Sequence, residues 1–292
     1  MKFTLGSLFL ANAATLSGAE RRLRECEACR LYFKERASRK IGICDWDVRA
    51  TGRPTSFATA KELGFDGVQV SYQIEGEDAL SDKANRPKFV AAAKESGSAI
   101  ASLCMGFLNS QPLATSPEGV AWVEDCISAM VDLNVCNVLI PFFGNADMSR
   151  NPEHVPLVIE KFKQLAPIAE RNRKTLSIES TLSAEEHLRI IEAVGSDAVK
   201  VYYDVANPLI YKKGYDIFHE MELLGKRNLI SEIHFKENRN RLGDGDVNFP
   251  KVRETIEKIG YQGWIIVEGS TSGDWRESQI ANVQFVRRLF EQ

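Results

Sequence analysis

From Ile41 to the C-terminus, eight short apolar runs of β character alternate with eight segments of amphipathic, helical period. The runs are Ile41–Trp46, Gly67–Tyr72, Ala99–Gly106, Asn137–Phe143, Thr175–Ser180, Val199–Asp204, Ile230–Glu237 and Trp264–Gly269. The helical segments are Pro54–Leu63, Arg86–Ser96, Pro117–Leu133, Pro152–Arg173, Ala184–Val194, Tyr215–Lys226, Phe249–Ile259 and Asp274–Phe290. Eight such units, with a helix after the last strand, predict an α/β protein built as a closed (β/α)8 TIM barrel rather than an open sheet. An open doubly wound sheet would show a glycine-rich phosphate turn after its first strand. Asp45-Trp46-Asp47-Val48-Arg49 stands there instead. Ser116-Pro117-Glu118 and Ser183-Ala184-Glu185-Glu186 read as helix starts. Gly64, Gly97, Gly195 and Gly260 read as left-handed helix stops.

No Pro-, Gly- or Ser-rich linker divides residues 41–292, so they are expected to form one domain. Residues 1–40 read as an N-terminal extension. Its first twenty residues loosely resemble a secretory signal, but Ser, Asn and Thr break the apolar stretch and Lys2 is its only charge before Glu20. A cytoplasmic location is the expectation, with export through this weak signal left open. No apolar run reaches the roughly 18 residues needed to span a bilayer. Cys26 and Cys29 form a C-x-x-C without the second pair a zinc site wants or the preceding strand a redox motif wants. Cys44, Cys104, Cys126 and Cys136 read as buried thiols. A net charge of −3 supplies no basic field for a polyanion, so nucleic acid is not expected as a partner.

The charged residues that close the later strands carry the chemistry. Glu179, Asp204, His234 and Glu268 end or nearly end four successive runs, separated by 25, 30 and 34 residues, about one strand-plus-helix unit each. A charge at the end of a buried strand is costly unless paired, and a divalent cation suits three carboxylates and one imidazole. That mostly hard set favours Mn2+, Mg2+ or Co2+ and remains compatible with Zn2+. The other histidines, His154, His187 and His219, fall on predicted helices and are expected to be solvated.

In this order and spacing, DVAN (204–207), IHFKE (233–237), LGDGDVNF (242–249) and GYQGW (260–264) leading to Val267-Glu268-Gly269 resemble the sugar phosphate isomerase/epimerase group of the xylose isomerase-like barrels. The resemblance implies a small-molecule sugar substrate and metal-assisted proton transfer through an enediolate. It gives Glu179 and Glu268 the acid/base and metal-ligand roles, with Asp204 and His234 completing the metal site. The chain departs from the ketose epimerase pattern at Asn207, where some of those enzymes have a substrate-binding His, and at Asn240, where they have an Arg. Gln69 stands where strand 2 often ends with an acid. Asn207, Lys236, Arg239 and Arg241 are substrate-contact candidates. Gly243, Gly245 and the 269–273 loop read either as turns or as the place where barrels hold phosphate.

Three rivals follow from the same residues. An inosose-dehydratase-like lyase would use the same metal and enolate but expel a hydroxyl. A non-catalytic binding barrel would keep the fold without the metal. An endonuclease of three-zinc type wants more histidines than the four present. Self-association into a homo-oligomer is left open.

Overall fold

A computed structural model describes residues 39–291, Lys212 excepted. The signal-like stretch, Cys26 and Cys29 lie outside the described residues. Eight strands, β1 (Ile41–Cys44), β2 (Gly67–Ser71), β3 (Ala99–Cys104), β4 (Asn137–Phe142), β5 (Thr175–Ser180), β6 (Val199–Asp204), β7 (Ile230–Phe235) and β8 (Ile265–Val267), pair in chain order. All pairs are parallel, and β8 returns to β1 to close the barrel.

The helices between them are α1 (Ser56–Glu62), α2 (Arg86–Ser96), α3 (Gly119–Asp132), α4 (His154–Arg171), α5 (Ala184–Val194), α6 (Asn207–Ile210), α7 (Ile217–Gly225), α8 (Phe249–Lys258) and α9 (Trp275–Glu291). α5 shows how local chemistry bounds an element. The Ser183 side chain accepts from the Glu186 amide and the Glu186 carboxylate accepts from the Ser183 amide, a closed capping box. Gly195 then ends the helix at φ 74°, a conformation that costs a β-carbon residue.

The structure departs from the sequence expectation in several places. Six of the eight strands stop short of their apolar runs, so Trp46, Tyr72, Phe143, Lys236, Glu237 and Glu268 belong to the rim loops. The helix expected from Pro117 begins at Gly119, after a turn in which the Gly119 amide donates to the Ser116 carbonyl at 3.1 Å. The short α6 was not foreseen; it begins at Asn207 directly beyond the end of β6. His154 and His187 are buried and only His219 is exposed. His187 is satisfied inside, its ring nitrogens 2.9 Å from Ser180 Oγ and 2.9 Å from the Ser183 carbonyl oxygen. Burial holds its pKa down at about 4, against the pull of that carbonyl. Cys44, Cys104 and Cys126 are buried as expected, whereas Cys136 is exposed beside the N-terminal end of β4.

Outward-facing strand residues such as Ile43, Val68, Val70, Ile140 and Ile178 pack under the helices as the main apolar core. The barrel interior mixes apolar and polar side chains. Trp264 fills its N-terminal end, where a Cβ on Gly67 would come within 2.7 Å of the indole. Higher up, Gln69 donates from Nε2 to Tyr202 OH at 2.9 Å and to Ser102 Oγ at 3.2 Å. Ser102 donates to the buried Glu232 carboxylate at 2.6 Å. The β2–β3 register slips between Val68 and Gln69, and the β6–β7 register between Val201 and Tyr202. Such irregularities re-aim side chains, and here both fall beside the two residues that meet across the interior.

Candidate metal centre and active site

The C-terminal ends of β5, β6 and β7 and the first residue after β8 bring Glu179, Asp204, His234 and Glu268 together. One ligand atom from each lies within 4.8 Å of all the others. Parallel strands in a tilted barrel aim their last side chains at one rim, so residues far apart in sequence converge there. Asp204 and His234 are directly paired in the β6–β7 register. Glu268 keeps its backbone hydrogen bond to the Phe235 carbonyl at 3.0 Å, which extends the sheet's order one residue past β8.

Each of the four side chains is oriented by a partner outside the cluster. Asp204 Oδ1 accepts the amides of Ala206 (2.7 Å) and Asn207 (2.8 Å), so the first residues after β6 hold the carboxylate in one rotamer. Asp204 Oδ2 is buried with no hydrogen-bond donor. The Asn207 amide donates to Glu179 Oε1 at 3.2 Å. His234 Nδ1 lies 3.2 Å from Glu179 Oε1, 3.4 Å from Glu268 Oε2 and 3.9 Å from Asp204 Oδ2. Its other nitrogen, Nε2, donates to Gln69 Oε1 at 3.2 Å. The Gln69 amide is itself fixed by its gifts to Ser102 and Tyr202, so its oxygen must face the imidazole. This leaves Nδ1 as the nitrogen aimed at the carboxylates.

The electrostatics are those of a cluster wanting positive charge. Burial pushes Asp204 well above the ordinary carboxylate range, and Lys236 only partly offsets it. Burial would also lower His234, but the Glu268 and Glu179 charges together outweigh it and hold the imidazole up at about 9. Glu268 is pushed up by burial yet lies below its usual value, because Lys236 and His234 dominate. The Lys236 ammonium donates to Glu268 Oε2 at 2.7 Å and lies 3.6 Å from Asp204 Oδ2. Two buried acids, the half-buried Glu268, one imidazole and a donor-less Asp204 oxygen fit a divalent cation.

A cavity of about 560 Å3 opens over this cluster. Trp46, Phe107, Phe143 and Tyr211 supply aromatic walls, and Asn207 and Lys236 also line it. Phe143 and Tyr211 stack with centroids 5.9 Å apart. Arg239 and Arg241 are not among the lining residues. Arg239 is exposed, and Arg241 turns to Ser278 Oγ (3.2 Å) and Glu277 (3.9 Å). Glu237 is buried in its own loop. A larger cavity of about 930 Å3 opens at the opposite, N-terminal end of the barrel. It lacks the converging ligand set, and in this fold chemistry collects at the C-terminal rim, so the smaller cavity is the candidate site.

Sequence reasoning did not assign roles to Gln69, Tyr202 or Asp47. Asp47 Oδ2 accepts the Gly269 amide at 2.7 Å. Burial, then the nearby Glu268 charge, push the Asp47 carboxyl up to about 7.

The chain belongs to the xylose isomerase-like TIM barrel family, whose model matches residues 57–289. It is 23% identical over 239 residues to the 3-dehydro-D-guloside 4-epimerase of Escherichia coli K12, covering 73% of this chain and 85% of that one. It is 24% identical over 229 residues to an L-ribulose-5-phosphate 3-epimerase of Salmonella heidelberg, covering 72% and 79%. Among solved structures, an L-ribulose 3-epimerase superposes with a TM-score of 0.72 at 17% identity, covering 87% of this chain and 95% of that one. The apo 3-keto-D-glucoside 4-epimerase of E. coli gives 0.69 at 18%, covering 86% and 99%.

Proposed function

We propose that this protein is a divalent-metal-dependent epimerase or isomerase of sugars. The observation that carries the reading is the convergence of Glu179, Asp204, His234 and Glu268 within 4.8 Å at the catalytic rim. Relatives named as sugar epimerases support the same reaction class. Glu179, Asp204, His234 and Glu268 would hold the metal, Mn2+, Mg2+ or Co2+ by the hardness of the donors. When bound, such a cation supplies Lewis-acid stabilisation of the negative charge that develops on substrate oxygen.

The proton chemistry belongs to the chain. Glu268 and Glu179 rise from β8 and β5, with β6 and β7 between them. A carbon held between the two carboxylates can lose its proton to one and regain a proton from the other, which inverts its configuration. Return of the proton to the neighbouring carbon gives aldose–ketose isomerisation instead. Lys236 keeps Glu268 ionised and so ready to accept a proton. Asn207 fixes Glu179 through its amide. The aromatic walls orient the sugar and exclude water from the carbanionic stage.

The test is proton exchange. Full-length protein loaded with Mn2+ is incubated with a ketose panel in D2O and followed by NMR. Deuterium entering the carbon beside the carbonyl without loss of water supports the epimerase reading. Dehydration would instead assign the site to a lyase. Metal analysis of protein purified without chelator accompanies it, and absence of any bound or bindable divalent cation would refute the metal role.

A further inference from the structure

Resting on the reading just given, we propose that the sugar this site accepts is uncharged, a keto-sugar or keto-glycoside without a phosphate. Barrels that bind phosphorylated substrates usually hold the phosphate on backbone amides of the loops after β7 and β8 and on a nearby helix N-terminus. In this chain several of those amides are already given to acceptors of its own. Asp246 and Val247 both give their N–H to the Glu237 carboxylate at 3.2 Å. Glu237 in turn gives its amide to Ser270 Oγ at 2.7 Å. The Gly269 amide goes to Asp47 and the Ser272 amide to Ser278 Oγ at 3.2 Å. At the start of α9, the Glu277 amide goes to Asp274 Oδ1 at 3.0 Å.

Three carboxylates, Glu237, Asp47 and Asp274, thus take the place of the anion. Glu237 is only 3% exposed, and the loop is folded so closely round it that a Cβ on Gly245 would collide with its oxygens. A phosphate arriving there would have to displace Glu237, Asp47 or Asp274 from the amides they hold. Charge compensation is no better in the cavity. Among the described lining residues the cation beside the carboxylates is Lys236, and it is already paired with Glu268 and Asp204. The remaining surface offers aromatic faces and neutral hydrogen-bonding groups, Thr51, Gln73 and Asn109, which suit the C–H faces and hydroxyls of a sugar.

Matched pairs decide the question: L-ribulose against L-ribulose 5-phosphate, and D-fructose against D-fructose 6-phosphate. Deuterium wash-in with the Mn2+-loaded protein gives kcat/KM for each member. Calorimetric titration of each sugar, and of inorganic phosphate alone, gives binding independently of turnover. The neutral member is expected to win by roughly 100-fold in both arms, because an anion beside fixed carboxylates is left without charge compensation. Inorganic phosphate should show no saturable binding to the 237–247 and 269–278 loops. Equal or better performance by the phosphorylated member in either arm overturns the proposal. Should no ketose exchange its proton at all, the epimerase reading fails and titration alone judges the charge preference. Tighter binding of the neutral member then upholds it, and any other order, or no binding by either member, refutes it.

Discussion

The two halves of the barrel rim are built from different chemistry. Strands β5 to β8 carry Glu179, Asp204, His234 and Glu268 at or beside their ends, all ionisable and all converging. Strands β1 to β4 end at or beside Cys44, Ser71, Cys104 and Phe142, and the loops beyond them carry Trp46, Phe107 and Phe143 to the cavity wall. A closed barrel gives every strand an equal opportunity to present a side chain at this rim. On the proposed function the asymmetry divides labour: one half would handle charge and protons, while the other shapes the cavity and supports the first from inside. Gln69 is the link, a β2 residue whose amide reaches across to the β7 imidazole.

Substitutions on the two sides should separate cleanly. The largest effect is expected for Glu268→Gln, which keeps the side chain's shape but removes its basicity. Deuterium exchange should fall by roughly a thousandfold or more, in the range of a lost general base, while circular dichroism and melting stay close to the parent. Exchange at the parental rate would dissolve the division. Gln69→Leu comes next and should act on metal affinity, since it removes the acceptor that fixes the His234 tautomer. Competition with a fluorescent chelator should show the Mn2+ Kd weakened roughly 10- to 100-fold, with Gln69→Glu, which retains an acceptor, recovering much of it. An unchanged Kd in a folded Leu variant would confine Gln69 to packing.

Phe143→Ala probes the other half. Loss of its stacking on Tyr211 should raise KM by roughly 3- to 10-fold with kcat nearly constant, the pattern of a group that binds without taking part in chemistry. A drop in kcat of the same size would show the wall to be part of the reacting geometry. The smallest effect concerns His187, which props Ser180 at the end of β5. Its pKa is about 4 folded and near 6.5 in the unfolded chain, so between these values the unfolded chain binds more protons. Stability from this group is complete above about pH 6.5 and is lost as pH falls toward 4. His187→Gln should therefore show a melting difference from the parent that narrows over this window, and a constant difference would mean that His187 does not titrate there.

What could be read in the sequence follows the range of the interactions involved. The strand–helix alternation, the capping box at Ser183 and the stop at Gly195 depend on residues within a few positions of one another. The convergence of Glu179, Asp204, His234 and Glu268 was readable because barrel symmetry turns regular spacing into proximity. Partnerships across the barrel were not readable. Gln69 and Tyr202 are 133 positions apart and meet only after closure. Asp47 finds the Gly269 amide 222 positions away for the same reason. Burial of His154 and His187 was missed because the inner face of a helix is decided by what packs behind it, and one histidine on an amphipathic segment does not report that. The two arginines at 239 and 241 were placed by proximity to His234 in the chain, which says nothing about which way a rim loop turns.

Lys236 has a consequence for how such a protein is made. Its ammonium lies between Glu268 and Asp204, so these acids have a built-in counterweight while the polypeptide is collapsing. Assembly need not wait for an inorganic ion to quench their mutual repulsion, and loading can follow as a separate event. The same arrangement would temper the grip of the proposed site on a divalent ion, since an existing pairing would have to loosen first. Divalent cations should therefore exchange in and out of the finished molecule more readily than from a site made of acids alone.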